Sequence, residues 1–191
     1  GSEMCIRDRR STGGTLRGRR VRTKVSTGVR PTSSRVREAL FNVLGQDLSG
    51  RTVLDAFGGA GLLALEAWSR GASPVTIVER ERTAMNAIRS AARELGADLD
   101  AIEGDAERVL ASSQAWDLVF LDPPYREDPA LWLTRAAPRT RWRLVIEHSV
   151  RSSLPAEVPG VSLLRHKRYG DTCLGVYGTA TLACPPGDVV A

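Results

Sequence analysis

The most distinctive chemistry in the sequence is the tetrapeptide Asp-Pro-Pro-Tyr, Asp122–Tyr125, which directly follows the apolar run Leu118–Leu121. Two consecutive prolines stiffen a loop and remove two backbone donors, so carbonyl oxygens and the Asp122 carboxylate remain as acceptors. Tyr125 adds a flat surface for stacking. Acceptors beside an aromatic plane suit an exocyclic amine on a base that has been turned out of its helix. An ordinary tight turn is the alternative interpretation.

A second candidate site is the glycine-rich stretch Asp55–Gly61, which lies between a short apolar run and a predicted helix. A strand that turns through glycines into a helix lets a ligand approach the backbone closely. Glu79 ends the next predicted strand, 24 residues after Asp55. An acidic residue at this place fits hydrogen bonding to ribose hydroxyls. A glycine turn without function and an exposed acid at a helix start are the alternatives.

A third candidate is Asp105, which follows Gly104 at the end of the third predicted strand. Its carboxylate fits two roles. It can accept from the exocyclic amine of an adenine, and it can cap the helix that begins at Ala106. The two roles are compatible, and the sequence alone does not choose between them.

These candidate residues stand at strand ends in a repeated pattern of strands and helices. The predicted strands are Thr52–Phe57, Val75–Glu79, Leu99–Glu103, Leu118–Leu121 and Leu144–Ile146, and the predicted helices are Leu62–Arg70, Arg82–Leu95, Ala106–Ala111 and Pro129–Ala137. Leu163–Tyr169 and Thr172–Tyr177 flank Gly170 and Asp171, which predicts an antiparallel closing hairpin. The repeats predict an α/β fold with a mostly parallel sheet and helices on both faces. Ligands bind such sheets at the carboxyl ends of the strands.

Positive charge is concentrated near the amino terminus. The 191 residues include 27 Lys and Arg and 22 Asp and Glu. Residues 1–50 contain 11 basic and 4 acidic residues, whereas residues 51–191 contain 16 basic and 18 acidic residues. A basic patch attracts polyanions such as nucleic acid, although a GC-rich genome also raises the arginine content. We interpret residues 1–10 as a non-native head, 11–30 as a basic arm, extended or in a small hairpin, 31–183 as one domain and 184–191 as a flexible tail.

Composition excludes several classes of protein. A chain that is 42% hydrophobic and 26% charged is not wholly disordered, and no apolar run approaches the roughly 20 residues that span a bilayer. Cys5, Cys173 and Cys184 are too few and too scattered for a disulfide framework or a CxxC metal site, which favours a cytoplasmic setting. His148 and His166 are not at metal-ligand spacing along the chain, so we expect no metal.

Several blocks of the sequence together resemble one family. Asp-Pro-Pro-Tyr at the fourth strand and Asp-x-x-x-Gly-x-Gly at the first resemble class I S-adenosylmethionine-dependent amino-group methyltransferases. The resemblance narrows to the RsmD-type 16S rRNA guanine(966)-N2 methyltransferases through the blocks Gly14–Val21, Arg30–Thr32, Arg35–Asn42, Gly61–Ala67, Ser69–Ala72 and Tyr169–Thr172. In this sequence Ser11 and Thr12 replace the apolar pair expected before Gly13, which weakens the expected first strand of the arm.

The resemblance implies a Rossmann-like methyltransferase with a mostly parallel seven-stranded sheet, an antiparallel C-terminal hairpin and a small basic N-terminal arm. It implies S-adenosylmethionine as the cofactor and 16S rRNA of the small ribosomal subunit as the partner, with no metal and no membrane, and we expect a monomer. The expected base-holding and catalytic residues are Asp122, Pro123, Pro124 and Tyr125. The expected cofactor-binding residues are Thr32, Asp55, Phe57, Gly58, Gly59, Gly61, Glu79, Arg80, Asp105, Ala106 and Asp122. The expected RNA-binding residues are Arg17, Arg19, Arg20, Arg22, Arg30, Arg35, Arg37 and Arg168.

The expected mechanism is a direct in-line methyl transfer to a flipped guanine. The N2 lone pair is delocalised into the ring, so the amine is a poor nucleophile. Asp122 and the carbonyl of Pro123 would accept its two N–H bonds and favour a more tetrahedral nitrogen, while Tyr125 stacks on the base. Most of the lowering of the barrier would then come from positioning and from electrostatic support.

Two other functions share parts of this pattern. A DNA adenine-N6 or cytosine-N4 methyltransferase also uses Asp/Asn-Pro-Pro-Tyr, but no long insertion for target recognition separates the blocks here. A non-catalytic RNA-binding module on the same fold would need only the basic arm. The joint presence of the glycine loop, Glu79 and Asp122–Tyr125 argues against that module.

Overall fold

The structure follows the predicted alternation of apolar strands and amphipathic helices. The computed structural model describes residues 4–26 and 34–179. Its strands are Met4–Arg10 (β1), Arg20–Ser26 (β2), Val53–Asp55 (β3), Val75–Glu79 (β4), Asp100–Glu103 (β5), Trp116–Leu121 (β6), Thr140–Ser149 (β7), Glu157–Val158 (β8), Val161–Tyr169 (β9) and Thr172–Thr179 (β10). Its α-helices are Ser34–Leu44 (α1), Leu62–Ser69 (α2), Arg82–Leu95 (α3), Ala106–Ala111 (α4) and Pro129–Ala136 (α5). Within these two ranges, no helix is long and apolar enough to cross a membrane.

The main sheet has eight strands in the order β5-β4-β3-β6-β7-β10-β9-β8. The first five are parallel, and β10, β9 and β8 are antiparallel to their neighbours. The fold class is therefore the predicted one, with one strand more than the seven expected. The additional strand is β8, whose two residues are too few to show a period-two pattern in the sequence.

The chain changes direction within the sheet between β3 and β6. After β3 it builds β4 and β5 on one side, and it then returns to place β6 against the other side of β3. Such a reversal opens a crevice at the carboxyl ends of the two strands, where α/β sheets bind ligands. Asp55 ends β3, and Asp122 directly follows β6.

Both faces of the sheet are covered, which explains why its central strands are mostly apolar. On one face Phe41 of α1 meets Phe120 of β6 edge to face, with ring centroids 6.0 Å apart. On the other face Trp132 of α5 belongs to the core that contains Leu54 and Val119. Burial of each such side chain contributes about 1.5–3 kcal/mol to folding. The two cores thus fix the strands whose ends carry the candidate site.

The amino-terminal hairpin begins earlier than the sequence analysis predicts. β1 pairs antiparallel with β2, from Met4 opposite Ser26 to Arg10 opposite Arg20. Residues 4–10, which we interpret from sequence as part of a non-native head, thus pair with β2, and the arm at 11–30 contains only the second strand. The segment Arg7–Arg10 consists entirely of charged residues, so it lacks the apolar alternation by which a strand is recognised in sequence.

Ser11 and Thr12 anchor this hairpin on α2. The carboxylate of Glu66 accepts hydrogen bonds from the hydroxyls of Ser11 at 3.0 Å and Thr12 at 2.6 Å, and Arg70 pairs with it at 2.8 Å. Burial opposes ionisation of Glu66, but its bonds to Thr12 and Arg70 outweigh that effect and lower its pKa. The two polar residues, which we expected to weaken the arm, are therefore the partners of a buried carboxylate.

Candidate functional site

The glycine-rich stretch Asp55–Gly61 forms a tight loop from the end of β3 to the start of α2. The N–H of Gly58 donates to the carbonyl of Val78 at 2.7 Å, so the loop crosses the end of β4. A Cβ at Gly58 would lie 2.8 Å from Cγ1 of Ile77, which explains the absence of a side chain. Gly61 precedes α2 with a φ of 73°, a left-handed conformation that glycine adopts without strain. The loop brings the amino-terminal end of α2 to the carboxyl edge of the sheet, an arrangement that favours ligand binding.

Glu79 links this loop to the end of β4. Its carboxylate accepts the N–H of Gly59 at 2.7 Å and the N–H of Glu81 at 2.8 Å. Its own backbone carbonyl accepts the N–H of Gly104 at 3.0 Å, beside the end of β5. Glu79 therefore holds three adjacent strand ends in one arrangement, at the place where the sequence predicts a contact to ribose.

Asp55 is buried beneath the glycine loop, at 2% exposure. Burial raises the pKa of its carboxyl group to about 7, opposed by the backbone N–H groups of Phe57 and Ala64 and reinforced by the charge of Glu79. The N–H of Phe57 lies 3.4 Å from Oδ1 of Asp55. A cation bound nearby would lower this pKa and favour the ionised form of the carboxyl group at neutral pH.

Asp105 lies at the end of β5, and the structure shows its capping role directly. Its Oδ1 accepts the N–H of Glu107 at 2.8 Å, which satisfies a free donor of the first turn of α4. The side chain is exposed, while Ala106 beside it is buried. Of the two roles proposed from the sequence, capping is confirmed, and the contact to adenine stays a prediction.

Asp122 begins the Asp-Pro-Pro-Tyr loop at the carboxyl end of β6, beside β3. Desolvation of its carboxyl group raises its pKa well above the usual range, and the charges of Glu147 and Asp55 raise it further. Three acidic side chains from β3, β6 and β7 thus act on one another at one edge of the sheet. A site of this kind favours a positively charged ligand.

Tyr125 stands at the other end of the same loop and is 47% exposed. Its hydroxyl lies 2.7 Å from Oγ1 of Thr172 and 3.4 Å from Oε1 of Glu147. These contacts hold the end of the ring against β7 and the start of β10. Pro123 is buried and Pro124 is partly buried, so the loop is packed on the sheet and carries the exposed ring outward.

The remaining predicted cofactor residues lie around the same edge. The partly buried ring of Phe57 meets Trp132 edge to face, with centroids 4.8 Å apart. Arg80 is exposed directly after β4. Thr32, which the resemblance also places at the cofactor, lies outside the described residues.

The predicted RNA-binding arginines differ in where the structure places them. Arg17, Arg19, Arg35 and Arg168 are exposed, Arg20 and Arg22 lie on β2, where the structure describes the backbone alone, and Arg30 lies outside the described residues. Arg37 is 1% exposed. The expectation that its side chain binds RNA is therefore wrong for this structure. Arg37 shares a helical face with Phe41 and Leu44, and that face packs into the core.

The sequence analysis does not identify Glu147 as a site residue, and it does not predict the contact between His148 and His166. Glu147 follows the apolar run of β7 directly, the same pattern that identified Glu79 and Asp122, yet it was not selected. The spacing of His148 and His166 along the chain, from which we expect no metal, does not reflect their separation in the fold. Their Nε2 atoms lie 3.0 Å apart, because β10 brings β7 and β9 together as its two neighbours.

Comparison with known proteins agrees with this geometry. The family described as Conserved hypothetical protein 95 matches residues 10–178. Ribosomal RNA small subunit methyltransferase D of Escherichia coli strain K12 is 33% identical over 181 residues, which cover 88% of each chain. The solved structure of yhhF from Escherichia coli superposes with a TM-score of 0.77 at 30% identity, over 91% of this chain and 98% of that chain.

A more distant solved structure shows the fold alone. The Thermus thermophilus 16S rRNA N2 G1207 methyltransferase RsmC, in complex with AdoMet and guanosine, superposes with a TM-score of 0.65 at 20% identity, over 94% of this chain and 51% of that chain. It supports the class I methyltransferase architecture of the sheet. The family match covers nearly the whole described chain and agrees with the resemblance seen in the sequence. This chain belongs to the RsmD family, which is also described as Conserved hypothetical protein 95.

Proposed function

We propose that this protein transfers a methyl group from S-adenosylmethionine to the exocyclic N2 amine of a guanine in 16S rRNA. The names of its relatives support ribosomal RNA of the small subunit as the substrate. One structural observation carries the proposal. Glu79, Asp55 and Asp122 stand at the ends of the adjacent strands β4, β3 and β6, around one glycine loop at the reversal point of the sheet.

The acidic edge of the sheet fits a cationic cofactor. S-adenosylmethionine carries a positive sulfonium and, when bound, supplies the methyl group together with a neutral thioether leaving group. Burial raises the pKa of both Asp55 and Asp122; the charge of Glu79 adds to this effect at Asp55, and the charges of Glu147 and Asp55 add to it at Asp122. A cation at this edge favours both ionised forms and is itself stabilised by them. A Cβ at Gly58 would meet Ile77, so the absence of a side chain lets the loop pack against the end of β4.

The remaining strand ends fit the nucleoside part of that cofactor. Glu79 lies where a ribose hydroxyl would donate, and Asp105 follows one strand further along the same edge. Both carboxylates already accept backbone N–H groups, which fixes their orientation before a ligand arrives. A fixed orientation lowers the entropic cost of binding.

The Asp-Pro-Pro-Tyr loop fits the guanine. Asp122 and the carbonyl of Pro123 accept the two N–H bonds of N2 and hold the nitrogen in position, while Tyr125 stacks on the base. A bound S-adenosylmethionine would supply the methyl group to the N2 atom that Asp122 and Pro123 hold in place. Asp122 stabilises the positive charge that develops on nitrogen and accepts the proton that N2 releases, a role that its raised pKa supports.

The exposed arginines fit the phosphate backbone of the RNA. Arg17 and Arg19 lie on the arm beside α2, and Arg168 lies near the hairpin turn of β9 and β10. Arginine presents a planar fork that matches phosphate oxygens. These residues would position the RNA, while the loop at Asp122 selects the reacting base.

Methyl transfer from labelled S-adenosylmethionine tests this proposal. The substrates are small ribosomal subunits that lack the modification and, in parallel, plasmid DNA. We expect label in 16S rRNA and none in DNA. Label in DNA alone would move the assignment to an adenine-N6 or cytosine-N4 enzyme. No label in either, with cofactor binding intact by calorimetry, would contradict the proposed substrate, and no cofactor binding would contradict the enzyme itself.

A further inference from the structure

A cluster of three metal-ligating side chains lies on the antiparallel part of the sheet, outside the proposed active site. His148 on β7, His166 on β9 and Cys173 on β10 offer ligand atoms that all lie within 4.8 Å of one another. The register explains the cluster. Cys173 is opposite His148, and Gly175, two residues further along β10, is opposite His166. Cross-strand partners and residues two apart share a face, so all three side chains are on the same face.

We propose that these three side chains bind a zinc ion. Two imidazole nitrogens and one thiolate are a donor set that zinc prefers. Tetrahedral zinc with bonds of about 2.0–2.1 Å to nitrogen and about 2.3 Å to sulfur places its ligand atoms roughly 3.3–3.6 Å apart. The two Nε2 atoms are 3.0 Å apart and all three ligand atoms lie within 4.8 Å of one another, so side-chain movements of about 1 Å would complete the geometry. Three protein ligands leave the fourth position to water or another donor.

The hydrogen bonds around His148 prepare its Nε2 atom for a metal. The hydroxyl of Ser152 donates to the carbonyl of Ser149 at 2.9 Å, so this hydroxyl accepts at its second contact, 3.1 Å from Nδ1 of His148. Nδ1 therefore carries the proton, and Nε2 presents its lone pair toward His166. This supporting bond is the arrangement that fixes the tautomer of metal-bound histidines.

The exposed side chain of His166 gives a cation access to the cluster. His148 and Cys173 are 2% and 3% exposed, whereas His166 is exposed and gives access from solvent. Arg168, which is opposite Cys173 on β9, donates from Nε to the carbonyl of Gly170 at 2.7 Å, which directs it to the hairpin turn. Burial raises the pKa of the Cys173 thiol and the charge of Arg168 offsets this only in part, so zinc binding would release the thiol proton.

The proposed zinc ion would join β7, β10 and β9 beside the loop that carries Tyr125. Ser149, Ser152 and His148 also line a shallow depression together with Pro124 and Tyr125. A metal bound to His148 therefore stiffens one wall of that depression. This inference does not depend on the methyl transfer, because its ligands are distinct from Asp55, Glu79 and Asp122.

Titration of the metal-free full chain with Co²⁺, followed by displacement with Zn²⁺, tests the site. The variant Cys5→Ser with Cys184→Ser serves as the background, so that Cys173 is its one remaining cysteine. We expect one Co²⁺ per chain, a thiolate charge-transfer band and the visible spectrum of a tetrahedral site, all lost when Zn²⁺ displaces the cobalt. Absence of the charge-transfer band in this background would overturn the proposal.

Variants on β9 separate ligation from a general charge effect. His166→Gln removes an exposed ligand and should weaken Zn²⁺ binding by more than about 100-fold. Removal of a residue that only supports a ligand typically weakens metal binding by about 10- to 100-fold, so a larger loss indicates direct ligation. Lys167→Gln, on the same strand and also exposed, should leave Zn²⁺ affinity unchanged. Cys173→Ser should abolish the charge-transfer band. Equal Zn²⁺ affinity in His166→Gln and the parent chain would contradict the proposal.

Discussion

The hydroxyl of Tyr125 lies 2.7 Å from Oγ1 of Thr172, which joins the Asp-Pro-Pro-Tyr loop to the first residue of β10. The two residues are 47 positions apart in the sequence and belong to separate blocks of the family resemblance. The contact holds the far end of the aromatic ring, while 47% of the residue stays exposed. The structure thus gives the proposed stacking surface a fixed orientation before a base arrives.

Replacement of Tyr125 separates stacking from orientation. Tyr125→Ala removes a base–aromatic contact worth about 1–3 kcal/mol, so kcat/KM for rRNA should fall roughly 5- to 150-fold. Tyr125→Phe keeps the ring and loses the bond to Thr172, so it should lose only several-fold, at about 0.5–1.5 kcal/mol. Thr172→Val should match Tyr125→Phe. Steady-state kinetics on ribosomal subunits measure all three, and an unchanged Tyr125→Ala variant would contradict the stacking role.

Replacement of Asp122 should reduce methyl transfer far more than it reduces binding of the cofactor. Asp122→Ala removes the group that we propose orients N2 and supports its developing charge. Loss of one such electrostatic contact costs about 100- to 1,000-fold in kcat. Asp128→Asn is the matched control, because this exposed carboxylate caps α5 in the same loop region. Isothermal calorimetry with S-adenosylmethionine and single-turnover kinetics report the two properties, and a near wild-type rate in Asp122→Ala would exclude the role.

The pKa of Asp55 predicts how stability depends on pH. Its value of about 7 in the folded protein lies above the value of about 3.9 expected for an unfolded chain. The folded state therefore binds this proton more tightly, so the contribution is fully present below about pH 4 and is lost as the pH rises through about 7. Thermal unfolding of the ligand-free protein should occur at lower temperature at about pH 8 than at about pH 5. The decrease should be smaller in Asp55→Asn, and an equal decrease in both proteins would contradict the assignment.

The buried pair of Glu66 and Arg70 predicts a large loss of stability when one partner is removed. Glu66→Gln leaves the Arg70 guanidinium buried without its counter-charge, which costs about 3–5 kcal/mol. Glu107→Gln breaks the exposed pair with Arg135 and should cost less than about 1 kcal/mol. Denaturant unfolding measures both. Equal losses in the two variants would show that Glu66 does not anchor the arm as the hydrogen bonds indicate.

The exposed arginines of the arm predict a salt-dependent affinity for RNA. Arg17→Ala and Arg19→Ala should each weaken binding across RNA sequences and reduce the slope of log K against log salt by about 1. Arg108→Ala is the control. This exposed residue lies on α4, which packs on the opposite face of the sheet from α2, the helix that contacts the arm. Filter binding at several salt concentrations gives the slopes. Identical slopes in all three variants would contradict a role of the arm in RNA binding.

The apolar pattern predicted the parallel half of the sheet well, because buried strands such as β4 and β6 are mostly apolar and an acidic residue stands at or directly after their ends. It did not predict β1, whose charged segment Arg7–Arg10 has no apolar period, or β8, which has two residues. Ser11 and Thr12 looked unfavourable because their partner, Glu66, lies more than 50 residues away. Local sequence does not contain that contact.

The residues of the candidate site were likewise predictable where the local sequence marks them and were not predictable where their role depends on the fold. Asp55, Glu79 and Asp122 were found because each ends a recognisable strand. Arg37 was assigned to RNA by its charge, although its helical spacing to Phe41 and Leu44 already indicated burial. The contact of His148 with His166 follows from the strand order, in which β10 enters between β7 and β9, and spacing along the chain does not reveal that order.

The chemical identity of the methylated nucleoside is the most direct test of the account. Ribosomal subunits lacking the modification are treated with the protein and S-adenosylmethionine, and the 16S rRNA is digested to nucleosides for mass spectrometry beside authentic standards. The account predicts N2-methylguanosine from one rRNA fragment with the wild-type chain and none with Asp122→Ala. Methyl groups on ribose, or on any base atom other than N2 of guanine, would contradict it, because the loop of Asp122 and Tyr125 would then have a different substrate.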